Sequence, residues 1–343
     1  MNCTRESIQR IDLHELRGRT VVIDCFQFLY KFMADNRMAE HMDQMIRMLL
    51  DRQIVPIFVF DGKPPIEKKA VLEQRRTKKQ DAKARYEELI QNLTTTPTPE
   101  LANELACLKK KFIRIDYEHI QCAKKLMQHY EVEYVDAPGE ADAVCVEMVQ
   151  SHRAWACLSD DMDMFAYGCD RVLRELSLMT GKVTLYRTQS ILIDLRLTMQ
   201  EFREILVISG TDYRDDSTND KQHNLYETMK WFQAYRNEMD PNGTKETKET
   251  KGTNPRPFCG GYDSLRQKYP TRDYTHSMDT DTWAGYRTKY DRRLKERLRG
   301  DYYSSTSASS SSTLTFYPWL VKHTKYIRDY EQLMKIYNMF VLS

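Results

Sequence analysis

The sequence has no long apolar run and no close pair of cysteines, and these absences exclude whole classes of protein. No stretch reaches the length of a membrane-spanning helix, and the first residues, MNCTRESIQR, lack a signal-peptide core. The eight cysteines form no CxxC pair, which argues against structural zinc and against a disulfide framework. We expect an intracellular protein of a reducing compartment, nucleus or cytoplasm, with no membrane partner and with Cys25, Cys145 and Cys157 in its core.

The sequence also has little net charge. Its 52 Lys and Arg nearly balance its 50 Asp and Glu, for a net charge of +2, so affinity for nucleic acid must come from local patches. There is no P-loop and no competing Ser/His/Asp or Cys/His arrangement, which argues against those kinds of catalysis. With 343 residues, 41% of them hydrophobic, the chain has the composition of a globular protein of one large or two modest domains.

Short apolar runs that end in an acid predict the fold. TVVID (residues 20–24) and VPIFVFD (residues 55–61) are typical of buried strands, and residues 132–135 and 154–158 predict two more. Helix-forming segments separate these runs, which favours an α/β fold with a mainly parallel central sheet and helices on both faces. The carboxyl ends of parallel strands meet at one edge, where open α/β sheets bind their ligands.

Seven acids lie at or just beyond the ends of apolar elements. They are Asp24, Asp61, Glu140, Asp142, Asp161, Asp163 and Asp212. Carboxylates that converge without a cation repel one another, and carboxylate ligand sets suit hard ions such as Mg²⁺ or Mn²⁺. Two such ions are the standard device for in-line displacement at a phosphodiester. The alternative is that each acidic cluster is a solvated turn before an N-capped helix.

A highly charged, helix-forming segment follows the second acidic strand, from Ile66 to about Leu93. Lys68 and Arg75 are seven residues apart, so on a helix they share a face. The other candidate phosphate contacts are Lys63, Lys69, Arg76, Lys78 and Lys79. The alternative is a solvated helix whose cations pair with neighbouring acids. Acids and cations together predict a metal-dependent phosphoryl-transfer enzyme that acts on a polyanion.

Five motifs resemble those of the flap endonuclease family, the structure-specific 5′ nucleases. They are VVIDCFQFLYKF, VPIFVFDGKPPIEKKAVLEQRR, DAPGEADAVC, LSDDMDMFAYG and ISGTDY, in this order over about residues 18–213. The resemblance implies a PIN-like 5′-nuclease core with a helical arch and two Mg²⁺ ions per active site, with Mn²⁺ as an alternative. It also implies hydrolysis of DNA at a 5′ flap or a single-stranded 5′ end, in replication or repair, to leave a 5′-phosphate and a 3′-hydroxyl.

The resemblance assigns roles by position. The first metal would be held by Asp24, Asp61, Glu140 and Asp142. The second would be held by Asp161, Asp163 and Asp212, with Asp142 shared. Lys68 and Arg75 match the catalytic basic pair of the arch, which contacts the scissile phosphate and stabilises the charge that builds there. Tyr30 matches an aromatic that stacks on a base near the cut, with a core tyrosine as the alternative.

The sequence departs from the family in three places. The family's Met-Gly-Ile start is absent. After ISGTDY the family has a Gly-x-Gly hairpin that grips duplex DNA and binds a monovalent cation, whereas residues 214–232 contain no glycine. We therefore expect a reduced duplex-binding region, and no sliding-clamp box is evident. These departures fit a divergent member, for which a viral source is one hypothesis. An RNA-degrading relative like the viral host-shutoff nucleases, and a non-catalytic nucleic-acid-binding scaffold, stay open as alternatives.

The sequence divides into four regions. Residues 1–213 are the expected nuclease core, in which residues 65–130 form the arch and Leu101 to about Tyr130 is one long helix. Residues 214–240 are the reduced duplex-binding region. Residues 241–315 are polar and of low complexity, which is typical of a linker. Residues 316–343 predict a C-terminal helix that returns to the core, and we expect the chain to act as a monomer.

Overall fold

The computed structural model describes residue 4 and residues 6–92, 98–210, 224–239, 314–324 and 330–342. Residues 1–232 and 313–343 form one compact unit, and residues 233–312 form a second, of which only residues 233–239, the end of one helix, are described. Asp212 and almost all of the predicted linker lie outside the described residues.

The described strands form one sheet. In chain order they are β1 (Ile8–Asp12), β2 (Thr20–Asp24), β3 (Val55–Phe60), β4 (Glu133–Asp136), β5 (Ala156–Leu158), β6 (Arg171–Ser177) and β7 (Lys182–Arg187). Their order across the sheet is β1-β7-β6-β5-β2-β3-β4. The pairings from β6 to β4 are parallel, and those of β7 with β6 and with β1 are antiparallel. The predicted α/β fold with a mainly parallel sheet is therefore confirmed.

The described residues contain twelve α-helices. They are α1 (Cys25–Ala34), α2 (Met38–Asp51), α3 (Lys69–Gln91), α4 (Pro99–Lys111), α5 (Tyr117–His129), α6 (Ala141–Gln150), α7 (Asp163–Ala166), α8 (Thr188–Leu195), α9 (Met199–Ser209), α10 (Leu225–Met239), α11 (Tyr317–His323) and α12 (Tyr330–Leu342). Two short 3₁₀ helices, Leu13–Leu16 and Ile66–Lys68, precede β2 and α3. Of the helices in the described ranges, none combines the length and the apolar character that a bilayer crossing requires.

Alternate side chains of the central strands line opposite faces of the sheet. Ile23 stands beside Phe58 on one neighbouring strand and Leu158 on the other. All three pack in one core cluster with side chains of α1, α2 and α5. Cys157 has the opposite parity and contacts Cys145 of α6, which packs against β2, β3 and β5. Both faces are covered, which explains why these strands are continuous apolar runs.

Two helix predictions were wrong in the same way. The single helix expected from Leu101 to about Tyr130 is two helices, α4 and α5. Asp116 caps the start of α5, where its backbone N–H donates to His119 Nδ1. Helix α5 packs against α2 and β4, whereas α4 packs against α3. The single C-terminal helix expected over residues 316–343 is likewise two helices, α11 and α12. In both predictions the point at which one helix ends was taken as part of a continuous helical pattern.

Helix α12 packs against α9, as expected for a segment that returns to the core. Glu204, buried in α9, accepts hydrogen bonds from three successive backbone N–H groups at residues 315–317, at 3.1, 2.8 and 3.0 Å. In α12, the ring of Phe340 lies 4.6 Å from the ring of Tyr167, which follows α7. The C-terminal segment therefore supports two helices, α7 and α9, that adjoin the predicted metal ligands.

Candidate active site

The carboxyl edge of the parallel strands gathers most of the predicted acids. Asp24 ends β2, and Asp61 immediately follows β3. Asp161 lies in the loop after β5, and Asp142 lies in the first turn of α6. These four side chains are close enough to change one another's ionisation: Asp61 and Asp161 both raise the pKa of Asp24, and all three raise the pKa of Asp142.

Burial contributes more than this repulsion to the ionisation of the acids. Removal from water raises the pKa of Asp24 to about 7, with Asp61 and Asp161 as the next causes. The pKa of Asp142 is raised well above its usual value, again first by burial. Partial desolvation also raises the pKa of Asp61, against a lowering by its hydrogen bond from Ala141 N–H. A site that opposes its own ionisation in this way favours cation binding.

Two loops hold Asp61 and the start of α6 together. The Asp61 carboxylate accepts a hydrogen bond from the backbone N–H of Ala141, at 2.7 Å. Beside it, Gly62 N–H donates to the carbonyl of Gly139 at 2.6 Å. A Cβ atom on Gly62 would lie 2.0 Å from the carbonyl oxygen of Ala137, so only glycine allows this close approach. The glycine of the FDGKPP motif thus fixes Asp61 next to Glu140 and Asp142.

Ser159 is a site residue that the sequence patterns did not single out. Its hydroxyl donates to Asp24 Oδ2 at 3.2 Å and accepts from the backbone N–H of Asp161 at 3.1 Å. The Asp161 carboxylate in turn accepts from the backbone N–H of Asp163 at 2.8 Å. In the sequence, Ser159 stands between an apolar strand and two acids. An ordinary polar turn has the same pattern, so the pattern does not identify a site residue.

Lys68 lies inside the acidic cluster. It is only 7% exposed, although it is a lysine at the end of a 3₁₀ helix in the charged segment. Its ammonium forms an ion pair with the Glu140 carboxylate and lowers the pKa of Asp61 and of Asp142. Lys68 therefore supplies positive charge to this edge of the sheet, at the base of the predicted arch.

Tyr30 and the arch helix α3 form a second group beside the acids. Tyr30 is 39% exposed, which fits a contact residue better than the core tyrosine that was the alternative. Lys79 Nζ lies 5.0 Å from the centre of the Tyr30 ring and donates to the carbonyl of Ile113 at 3.2 Å. Arg75 is near enough to lower the pKa of both Tyr30 and Lys79. The structure thus brings Tyr30, Lys79 and Arg75 together.

The remaining predicted residues are placed as follows. Asp163 is 4% exposed at the start of α7, and Glu140 immediately precedes α6. The exposed cations are Lys63, Lys69, Arg76 and Lys78. Arg76 lies 4.0 Å from Glu73, which is the solvated-helix arrangement that was the alternative for this segment. The nucleic-acid roles of these cations and the metal roles of the acids stay predictions, and Asp212 lies outside the described residues.

The ligand candidates are all carboxylates, the donor type that Mg²⁺ and Mn²⁺ prefer. Within the described ranges, no group of three or more His, Cys, Asp or Glu side chains stands in metal-coordinating geometry. Lys68, paired with Glu140, provides local charge compensation among these acids. The donor chemistry and the raised pKa values of Asp24, Asp61 and Asp142 fit a hard divalent cation.

The sheet and its helices have the PIN-like nuclease fold. A solved structure of the catalytic core of Rad2 in complex with a DNA substrate matches with a TM-score of 0.50 and 21% identity, over 81% of this chain and 78% of that one. At this identity the match shows the fold.

Sequence comparisons find similarity to one family of nucleases. Residues 1–82 match the XPG N-terminal domain, and residues 131–212 match the XPG I-region. Flap endonuclease 1 of Glossina morsitans morsitans is 30% identical over 230 residues, 61% of this chain and 58% of that protein. Flap endonuclease 1 of Staphylothermus marinus is 30% identical over 60% of this chain and 65% of that protein. Over these two regions the chain is similar to the flap endonuclease/XPG family of nucleases, and it spans less than two thirds of the length of these two relatives.

Proposed function

We propose that the chain is a metal-dependent 5′ nuclease that hydrolyses phosphodiester bonds of DNA with a 5′ flap or a single-stranded 5′ end. The observation that carries this proposal is that Asp24, Asp61, Asp142 and Asp161 meet at one edge of the sheet. The charge of Asp161 raises the pKa of the other three carboxyl groups. So much opposed negative charge is costly for a purely structural site. It is suited to divalent cations that bridge enzyme and phosphate.

Two divalent ions, Mg²⁺ or Mn²⁺, are the proposed cofactors. Asp24, Asp61, Glu140 and Asp142 would hold the first ion. Asp161, Asp163 and Asp212 would hold the second, with Asp142 shared. When bound, such ions activate water and stabilise the leaving oxygen of the cut strand. Before binding, Lys68 and the hydrogen bonds to Ser159 and Ala141 hold these carboxylates close together.

The cations of the arch have two proposed tasks. Lys68 is buried among the acids, so its ammonium is placed to stabilise charge that builds on the scissile phosphate. Arg75 is exposed on α3 near Tyr30, where it would bind a phosphate of the same strand. Lys63, Lys69, Arg76, Lys78 and Lys79 would add phosphate contacts, and the partly exposed ring of Tyr30 would stack on a base.

The proposed setting is a monomer in a reducing compartment, and no recognisable motif supports a sliding-clamp partner. All six cysteines of the described residues are free, and Cys25, Cys145 and Cys157 are buried as predicted. Such packing needs no oxidising environment. Analytical ultracentrifugation of the purified chain tests the monomer directly.

The test is cleavage of 5′-labelled substrates by the full chain, with Mg²⁺ or with EDTA. A flapped DNA duplex and a single-stranded RNA are compared. We expect Mg²⁺-dependent cutting at the flap junction, and we expect Asp161→Asn to lose several orders of magnitude in rate while still binding the flap. The control is Asp51→Asn, which changes an exposed carboxylate at the end of α2.

Each other outcome has a definite meaning. Cutting of RNA alone would move the substrate to RNA on the same acids and overturn the DNA assignment. Binding without cutting, with Mn²⁺ also tried, would overturn the enzyme assignment in favour of a nucleic-acid-binding scaffold. Near-normal cutting by Asp161→Asn would overturn the role given to that carboxylate.

A further inference from the structure

Gln27 connects helix α1 to the acidic loop that follows β5. It lies three residues after Asp24, at the start of α1. Its Oε1 accepts a hydrogen bond from the backbone N–H of Asp160 at 2.6 Å. Its Nε2 donates to the carbonyl of Leu158 at 3.3 Å. One carboxamide thus spans the end of β5 and the first residue of the acidic loop.

Ser159 makes a parallel connection between the same two segments. This residue is fully buried, and its hydroxyl joins the Asp24 carboxylate to the backbone N–H of Asp161. Gln27 and Ser159 together are called the bracket below. The bracket fixes two successive backbone N–H groups of the loop, at Asp160 and Asp161, relative to β2 and α1.

The bracket holds the backbone at the point where the carboxylates of Asp24 and Asp161 repel each other. The loop carries Asp161, whose charge opposes the ionisation of Asp24. Repulsion of this kind pushes the loop away from β2, and attraction to a divalent ion draws it back. Two neutral side chains that hold the backbone of the loop keep the carboxylates near their metal-binding spacing at no cost in charge. Groups behind the ligands that set their orientation commonly determine metal affinity in this way.

Besides the bonds to Leu158 and Asp160, the Gln27 carboxamide makes a longer hydrogen bond, from Nε2 to the carbonyl of Asp24 at 3.5 Å, at the start of its own helix. Gln27 stands between Phe26 and Phe28, and Phe28 is 2% exposed in the core. Helix α1 would form and pack as well with a methionine at this position, since methionine is a good helix former of similar length. What a methionine would lose is the pair of hydrogen bonds to the loop, together with the longer bond at the start of the helix.

We propose that Gln27 is a positioning residue for metal binding, which holds the Asp160–Asp163 loop at the distance from Asp24 that the divalent ions need. This inference rests on the proposed function, because it concerns the same carboxylates. Gln27 itself touches neither ion nor substrate. Its removal therefore reduces metal affinity, and the rate at saturating metal stays close to that of the wild type.

The experiment uses the full chain with Gln27→Met. Binding of Mn²⁺ alone is measured by calorimetry, and the Mg²⁺ concentration for half-maximal cleavage is measured separately. We expect both to weaken by about 10–100-fold, the usual size for a group behind a ligand. The maximal rate at saturating Mg²⁺ and the KM for the DNA change by less than about threefold, a split between affinity and turnover that general loss of folding does not produce.

Three further variants make the result specific. Ser159→Ala removes the other half of the bracket, and because both halves hold one loop, the double variant should weaken Mn²⁺ binding by less than the product of the single effects. Gln44→Met is the matched control, because the Nε2–H group of Gln44 in α2 donates a hydrogen bond to the carbonyl of Leu178, away from the acids. It should bind Mn²⁺ like the wild type. If Gln27→Met fails to fold, Ser159→Ala carries the same test.

The outcomes separate this inference from the proposed function. A wild-type chain that binds no Mn²⁺ would overturn the proposed function and this inference with it. A wild-type chain that binds Mn²⁺ as tightly as a folded Gln27→Met or Ser159→Ala variant would overturn this inference alone. A variant that loses turnover at every metal concentration, with unchanged Mn²⁺ affinity, would also overturn it.

Discussion

Gly62 shows how a single residue without a side chain sets the spacing of several acids. Its backbone passes so close to the loop before α6 that a methyl group would lie 2.0 Å from the Ala137 carbonyl oxygen. The neighbouring atoms are backbone atoms, which cannot turn aside as a flexible side chain does. Asp61 is therefore placed by its neighbour as well as by the end of β3.

Gly62→Ala should separate these two loops. We expect a loss of about 1–3 kcal/mol in the free energy of unfolding, the usual size for overpacking, and a larger proportional loss in nuclease rate. Urea unfolding and the flap assay measure the two effects. Gly139→Ala is the matched control, because a Cβ atom there meets its nearest atom at 3.8 Å. Equal effects of both substitutions would contradict the close-approach argument.

The surroundings of the buried residue Glu204 determine how it contributes to stability at different pH values. Burial raises its pKa, although hydrogen bonds from residues 315–317 oppose that rise. A carboxyl whose folded pKa is raised binds its proton more tightly in the folded state. Its contribution to stability is therefore complete below the unfolded pKa of about 4.5 and is lost as pH rises through the folded pKa.

Glu204→Gln should remove this pH dependence. We expect the difference in unfolding free energy between wild type and variant to change as pH rises above about 4.5, and then to become constant. Glu204→Ala should cost about 3 kcal/mol or more at all pH values, because it leaves several buried N–H groups without an acceptor. Urea unfolding between pH 4 and 8 measures both. A constant difference for Glu204→Gln would contradict the raised pKa.

At the scale of elements, contacts at three places help to hold helix α3 in position. Its base follows Lys68, which is buried against Glu140. Its middle is tied to α1 and to the segment before α5 through Lys79. Its far end packs on the segment after α4 through the rings of Tyr86 and Phe112, 5.4 Å apart. A helix with so few buried side chains depends on these contacts to keep its position.

Lys79→Ala should loosen α3 without affecting the sheet. The substitution removes the contact with the Tyr30 ring and the hydrogen bond to the Ile113 carbonyl, which both tie the middle of α3 to neighbouring segments. We expect faster amide hydrogen exchange in α3 and unchanged exchange in β2 and β3, measured by mass spectrometry. Lys83→Ala is the control, because Lys83 only pairs with Glu87 on the same helix, at 3.7 Å. Unchanged exchange in Lys79→Ala would contradict this tie.

The elements that the sequence predicted well are those with a local signal. Strands β2 and β3 are continuous apolar runs, so their ends, and hence Asp24 and Asp61, could be placed in advance. Strand β1 was missed, because IQRID is polar at three of its five positions and pairs with β7, about 170 residues later. The burial of Lys68 was also missed, since it depends on Glu140, which is distant in sequence. Contacts of that range leave no periodic pattern.

For the whole molecule, the net charge is close to zero, although acids are concentrated at the carboxyl edge of the parallel strands. In the absence of metal, Asp24 has a pKa of about 7 in the folded state against 3.8 as its ordinary value. Its contribution to stability is therefore complete below about pH 4 and is lost as pH rises through about 7. The shift corresponds to at most about 4 kcal/mol.

Divalent metal should reverse this loss. We expect the metal-free chain to unfold at a lower temperature at pH 8 than at pH 5, and Mn²⁺ to raise the unfolding temperature more at pH 8, where the carboxylates are ionised. Thermal unfolding with Mn²⁺ or EDTA measures this. Asp24→Asn should reduce the pH dependence of the metal-free protein. Equal stabilisation by Mn²⁺ at both pH values would contradict the coupling.

The position of the last helices also bears on how the molecule is made. Ribosomes synthesise a protein from its N-terminus, so Asp24, Asp61 and Asp161 are made long before residues 314–342. Helix α9 gains the partners of Glu204, and α7 gains the contact of Tyr167 with Phe340, only when those residues have left the ribosome. A nascent chain thus carries most of its acids before it has the helices that support them.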